Sequence, residues 1–234
     1  MRNRLTLDTG RLAGLVYLVV VVAGVISLAY VPSQVIVRGD SAATLERIVA
    51  SEPLFRVGIA SGFACYIAFL FLPLVLFDLL APVNRRAARL MVVLALVGVP
   101  LSLSALRYKL DVLTLIHGAP RPGGLAPVEL ASAVTQSLAR YSDGVLVAEL
   151  FWGLWLLPLG YLIFKSRQLP RLLGVLLMLG CAGYLTNVFA TVLWPAYPSS
   201  ALSQWATLPA AMGEIGTCLW LLAFGAKPEA SREA

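Results

Sequence analysis

The residues of this sequence that could do chemistry are the ionisable side chains set into apolar runs. Glu149 and Glu214 each stand about six residues inside such a run. Arg56, Arg107 and Lys109 lie near the ends of others, with Asp111 just beyond. Asn187 and Thr191 occupy comparable depth in a further run. A charge at membrane depth is costly, so such residues mark ligand, ion or proton handling unless they pair only to fix helix register. Two carboxylates could serve as acid and base, and pairing with opposite charges would lower the cost of holding them there. The expectation is that Arg56, Arg107, Glu149 and Glu214 converge in one pocket, with Asp111 and Asn187 in the same layer. The competing reading is structural: Arg56 and Lys109 snorkel to the interface, and the glutamates pair with arginines.

Other chemistries find no support. His117 is the single histidine, so one chain cannot supply a bis-histidine haem or a histidine-rich zinc site. It lies outside the apolar runs, which excludes an intramembrane Ser-His dyad. Cys65, Cys181 and Cys218 are scattered through apolar sequence without Cys-x-x-Cys spacing and read as small apolar side chains. No phosphate-binding glycine loop occurs. No cofactor and no metal is expected.

The elements that must position these residues follow from composition. Hydrophobic residues make up 59% and charged residues 13% of 234, against roughly 45–50% and about 25% in soluble domains. A soluble domain of this size needs more charge to cover its surface. A bilayer core about 30 Å thick needs about 20 apolar helical residues. Six segments satisfy this, at about 12–31, 54–80, 88–110, 143–164, 172–194 and 208–226. They are continuous and rich in Leu, Ala and Gly, without the period-2 alternation of barrel strands. The fold class is therefore all-α, an integral membrane bundle of six transmembrane helices in a single domain, 1–234. Arg2, Arg4 and Arg11 before the first run, and Ser27-Leu28-Ala29 within it, resemble a secretory signal. The run is too long for a usual signal core, and a span is expected.

Eleven of the eighteen Lys and Arg fall on one side: Arg2, Arg4, Arg11, Arg85, Arg86, Arg89, Lys165, Arg167, Arg171, Lys227 and Arg232. By the positive-inside rule both termini are cytoplasmic. The net charge of +6 thus reflects membrane flanks, and nucleic acid is not a partner. Tyr30, Tyr108, Tyr141, Trp194, Tyr197 and Trp205 fall near outer ends, as interfacial rings should.

Short amphipathic helices are expected in the first and third outer loops. Gly39-Asp40-Ser41 can cap the first, with Leu45, Ile48, Val49 and Glu52 on one side. Pro120-Arg121-Pro122-Gly123-Gly124 breaks the chain before the second. That helix starts near Pro127, with Leu130, Val134, Leu138 and Tyr141 on one face. Both are expected to lie on the outer surface or fold over the bundle. Pro73, Pro100 and Pro158 fall inside spans, where proline removes a donor and kinks the helix. Gly58-x-x-x-Gly62 permits close helix contact, serving internal packing or a homo-oligomer.

Several stretches carry a family resemblance. They include Arg11-Leu-Ala-Gly-Leu-Val-Tyr-Leu18, Gly39-Asp-Ser-Ala-Ala-Thr44, Ser51-Glu-Pro-Leu-Phe-Arg-Val-Gly58 and Pro82-Val-Asn-Arg85. Leu159-Gly-Tyr-Leu-Ile-Phe-Lys-Ser166, Leu169-Pro-Arg-Leu-Leu-Gly174 and Gly183-Tyr-Leu185 complete them. In this order, over nearly the whole chain, they resemble the bacterial membrane family catalogued as domain-of-unknown-function family 4386. The resemblance implies a multi-pass protein of a bacterial inner membrane and carries no established activity. In that family a histidine often sits in the fourth span. Here Trp152-Gly-Leu-Trp155 stands instead, which puts histidine-based chemistry in doubt.

The leading functional expectation is a non-enzymatic protein that binds or moves a small molecule or lipid through the outer polar layer. The alternatives are a structural or regulatory subunit docking a membrane partner protein, and an intramembrane enzyme using Glu149 and Glu214.

Overall fold

A computed structural model describes residues 2–119 and 124–226, apart from the side chains of 2–8 and 204. Arg2, Arg4, Lys227, Arg232 and the break at 120–123 therefore lie outside the described residues or side chains. The helices are α1 (Arg2–Val25), α2 (Val31–Val35), α3 (Ser41–Ala50), α4 (Glu52–Leu80), α5 (Arg85–Gly118), α6 (Pro127–Leu154), α7 (Leu156–Ser166), α8 (Arg171–Leu193), α9 (Ala201–Trp205) and α10 (Leu208–Phe224). Among the described residues there is no strand. Six rods are long and apolar enough to cross a membrane, at Thr9–Val35, Glu52–Leu80, Arg85–Gly118, Pro127–Ser166, Arg171–Leu193 and Ala201–Phe224. The chain is a multi-pass helical membrane protein.

Each rod packs on its neighbours in sequence, and α10 closes back on α1, so the six form a ring in chain order. Short turns enforce this. Asn84 caps α5 by accepting from the Arg86 and Ala87 amides at 3.1 Å. Arg167, at φ 55°, ends α7 in the left-handed region. Glycines set the closest seams. A Cβ on Gly160 would lie 2.5 Å from the Gly174 carbonyl oxygen, and one on Gly14 would lie 2.7 Å from the Leu222 amide. Gly58 and Gly62 face Val31 and Ser27 inside the bundle. The exposed residues are largely apolar, Leu12, Leu15, Val19, Val93, Leu179 and Leu219 among them. That is the pattern of helices solvated by lipid.

The long rods overshoot a bilayer. At 1.5 Å per residue, the 34 residues of α5 extend about 51 Å against a core of about 30 Å. The amphipathic segment after Pro127 is helical, but it continues unbroken into the fourth span. It is the projecting arm of an α5–α6 hairpin, and α3 packs against it. The end bearing this hairpin is called the hairpin end, and the end bearing Arg85 and Arg167 the basic end. Asp40 caps α3 through the Ala43 amide at 2.8 Å. Thr44 and Ile48 are the residues α3 buries, and Val49 is exposed.

Two breaks shape the interior. Pro158 lacks the donor that the Leu154 carbonyl needs, and the helix is interrupted at Trp155 between α6 and α7. The first rod widens to a π turn over Ile26–Tyr30, where the Val31 amide donates to the Ile26 carbonyl. The next carbonyl, of Ser27, would be served in that pattern by residue 32, which is a proline. Ser27 is left without a backbone donor.

Candidate functional site

A cavity of about 790 Å³ opens at the hairpin end, inside the ring. Its deep polar residues are Lys109 from α5, Glu149 from α6 and Asn187 from α8. Lys109 is 3% exposed. Its Nζ donates to the Ser27 carbonyl at 3.0 Å and lies 4.2 Å from the centre of the Tyr141 ring. The π turn thus supplies the orphan acceptor, and the lysine satisfies it. An ammonium has three donors, so donor capacity remains towards the cavity. No carboxylate among the described residues forms an ion pair with it.

Glu149 is half-buried, and its Oε2 accepts from Asn187 Nδ2 at 2.6 Å. An amide partner leaves the second carboxylate oxygen free. The rest of the lining is mixed, and its apolar and aromatic part includes Leu28, Val31, Phe55, Trp152 and Tyr184. Trp152 is held by its Nε1–H, which donates to Ser102 Oγ at 3.2 Å. Arg38 and Asp143, both exposed, stand among the lining residues. Tyr197, in the turn before α9, is fully buried against the cavity, and its hydroxyl has no hydrogen-bond partner among the described residues. Burial, and then the nearby Glu149 carboxylate, push its phenol up from the usual value.

Glu214 lines a second, deeper cavity of about 200 Å³. Its Oε1 accepts from the Tyr17 hydroxyl at 3.1 Å, which ties α10 to α1. Leu28, Trp152 and Tyr184 line both cavities. The two glutamates therefore do not share a cavity; they stand on either side of common walls.

The structure brings together Glu149 and Asn187 from the expected layer, with Thr191 in the same cavity wall. It does not bring Arg56, Arg107 or Asp111 to them. Arg56 is exposed, its Nε donating to Glu52 Oε1 at 2.6 Å and its Nη2 lying 3.0 Å from His117 Nε2. His117 Nε2 is also 3.1 Å from Glu52 Oε1. One ring nitrogen cannot accept from the arginine and donate to the carboxylate at once, so the tautomer decides which of the two contacts is a hydrogen bond. Arg107 is exposed and donates to the neighbouring Tyr108 hydroxyl at 3.1 Å. Asp111 is exposed.

Sequence reasoning put Lys109 in the outer polar layer, with snorkelling as the competing reading, and missed its burial. It also placed Tyr141 and Tyr197 at the interface. Both are buried and line the hairpin-end cavity instead, because the projecting hairpin and the turn before α9 carry them inward. Tyr30, Trp194 and Trp205 are exposed at this end. Cys65, Cys181 and Cys218 are buried and unpaired.

No curated protein and no solved structure matches the chain. The family described as "Domain of unknown function (DUF4386)" matches residues 12–225, nearly the whole chain, and the protein belongs to that family.

Proposed function

We propose that the protein is a binding protein of a bacterial inner membrane, with its hairpin end outside. There it takes up a small amphiphile by its anionic head. The observation that carries this reading is Lys109: a buried ammonium with spare donors, lining an open cavity, without a carboxylate partner among the described residues. A phosphate or carboxylate would meet it as a charge-assisted acceptor. The buried Tyr197 hydroxyl offers a further donor. Leu28, Val31, Phe55 and Trp152 suit the adjoining apolar portion. The basic residues Arg85, Arg86, Arg89, Lys165, Arg167 and Arg171 gather at the opposite end, which supports the orientation.

A paired acid–base role for Glu149 and Glu214 loses support. Each has its own neutral partner, and they line different cavities.

The test is binding of pyrene-labelled phosphatidylglycerol, pyrene-labelled fatty acid and neutral pyrene-labelled diacylglycerol to the full chain in nanodiscs. Saturable binding of an anionic probe, lost in Lys109→Met, supports the reading. The first two probes distinguish lipid phosphate from free carboxylate. Equal binding of the neutral probe, or an unchanged Lys109→Met variant, overturns it.

A further inference from the structure

The deeper cavity has a chemistry opposite to the first. Its single carboxylate, Glu214, is half-buried and has no cationic partner among the described residues. Its one polar contact is the Tyr17 hydroxyl. Around it stand Tyr17, Tyr66, Phe69, Trp152, Trp155 and Tyr184, drawn from four of the six rods. These rings are organised against one another. Phe69 meets Trp155 edge-on at 5.0 Å, Tyr66 lies 6.2 Å from Trp152, and Tyr17 lies 6.4 Å from Trp155. Tyr17, Tyr66, Phe69 and Trp155 form the buried back wall, whereas Trp152 and Tyr184 keep part of their surface exposed.

We infer that this cavity is a binding site for a lipophilic organic cation, a substituted ammonium with an apolar or aromatic body. Aromatic faces attract cations through the ring quadrupole, most strongly where water is excluded, and tryptophan does so best. A carboxylate among several rings supplies the counter-charge, and the rings accommodate alkyl groups that a hydrated metal ion lacks. Anions are disfavoured beside Glu214, so this site takes a different ligand class from the Lys109 cavity and stands independently of it.

The access route agrees with a lipophilic ligand. The α1–α10 seam is tight at the basic end, where Gly14 meets Leu221 and Leu222. Further along, Val25 and Leu28 of the first rod and Ala211 and Ile215 of α10 line the cavity and are exposed. This mouth is apolar and lies within the spanning length of both rods, so entry is from the bilayer.

The experiment compares benzyltrimethylammonium with neopentylbenzene, its uncharged carbon isostere. Quenching of tryptophan fluorescence in the purified full chain reads binding. The cation should bind saturably and about tenfold or more tightly than the isostere. Glu214→Gln keeps an acceptor for Tyr17 but removes the charge, and should weaken cation binding at least about tenfold while leaving the isostere unchanged. Tyr184→Leu should weaken the cation more than the isostere. Equal affinity for the two probes on the wild-type chain overturns the inference, as does the absence of saturable cation binding. That comparison needs no variant to fold. Unchanged cation affinity in a folded Glu214→Gln variant also overturns it. Failure here leaves the lipid-probe result at Lys109 standing, because the two measurements use different ligands and residues.

Discussion

Lys109 on α5 donates to the carbonyl of Ser27 on the first rod across 3.0 Å, and Pro32 is the reason that carbonyl is free. The π turn sends the Val31 amide to Ile26, and proline has no amide hydrogen to send to Ser27. A buried lysine is thus held against the hairpin-end cavity by a defect in a neighbouring helix. Removing the lysine leaves a buried carbonyl without a donor, at a cost of about 1–3 kcal/mol. Pro32→Ala restores a possible donor, so Lys109→Met should cost about 1 kcal/mol less in that background. Unfolding midpoints of the four members of this cycle measure it. Strict additivity contradicts the coupling.

The Tyr17–Glu214 bond makes a separate stability prediction. Tyr17→Phe removes the donor and keeps the ring, and should destabilise by about 0.5–1.5 kcal/mol. Glu214→Gln retains an acceptor and should cost less. Thermal unfolding in detergent ranks the two. The reverse order means that the charge of Glu214, rather than its hydrogen bond, stabilises the α1–α10 seam.

The crossing of α7 and α8 at Gly160 and Gly174 should be intolerant of even one methyl group. Gly160→Ala places a Cβ against the Gly174 backbone, where no side chain can give way, and should cost about 1–3 kcal/mol. Gly118, at the end of α5, has nothing within 4 Å of its Cβ position. Gly118→Ala should be neutral, or stabilising by up to about 1 kcal/mol through helix propensity. Denaturation midpoints of the two variants check the contrast.

Orientation is testable with engineered thiols, because the native cysteines are buried. Val128, 82% exposed on the projecting hairpin, should react as Val128→Cys with a membrane-impermeant maleimide in intact cells. Arg86→Cys, at the basic end, should react only after permeabilisation. The opposite pattern inverts the assigned topology.

The spans were legible because each is a continuous apolar run, and the ring order follows once short turns force neighbours together. The polar interior was only partly legible. Glu149 and Asn187 share a depth, and the structure joins them. Arg107 and Lys109 also share a depth, but residues two apart on a helix point about 200° apart. One faces inward only if the other faces out, and the π turn in the first rod decides for Lys109. Glu52 and Arg56 are four apart on one helix, so their pairing was available from spacing alone. The pairing of Tyr17 with Glu214 was not. It joins the first rod to the last, across 197 residues, and no local pattern encodes it.

The central claim is that the Lys109 ammonium contacts a bound anionic amphiphile. The sequence has three lysines, Lys109, Lys165 and Lys227, so selective ¹⁵N labelling of lysine Nζ gives a spectrum that Lys109→Met can assign. Titration with phosphatidylglycerol or a fatty acid should shift the Lys109 signal saturably and leave the other two unmoved. A Lys109 signal that stays put, or moves equally with neutral diacylglycerol, contradicts the account.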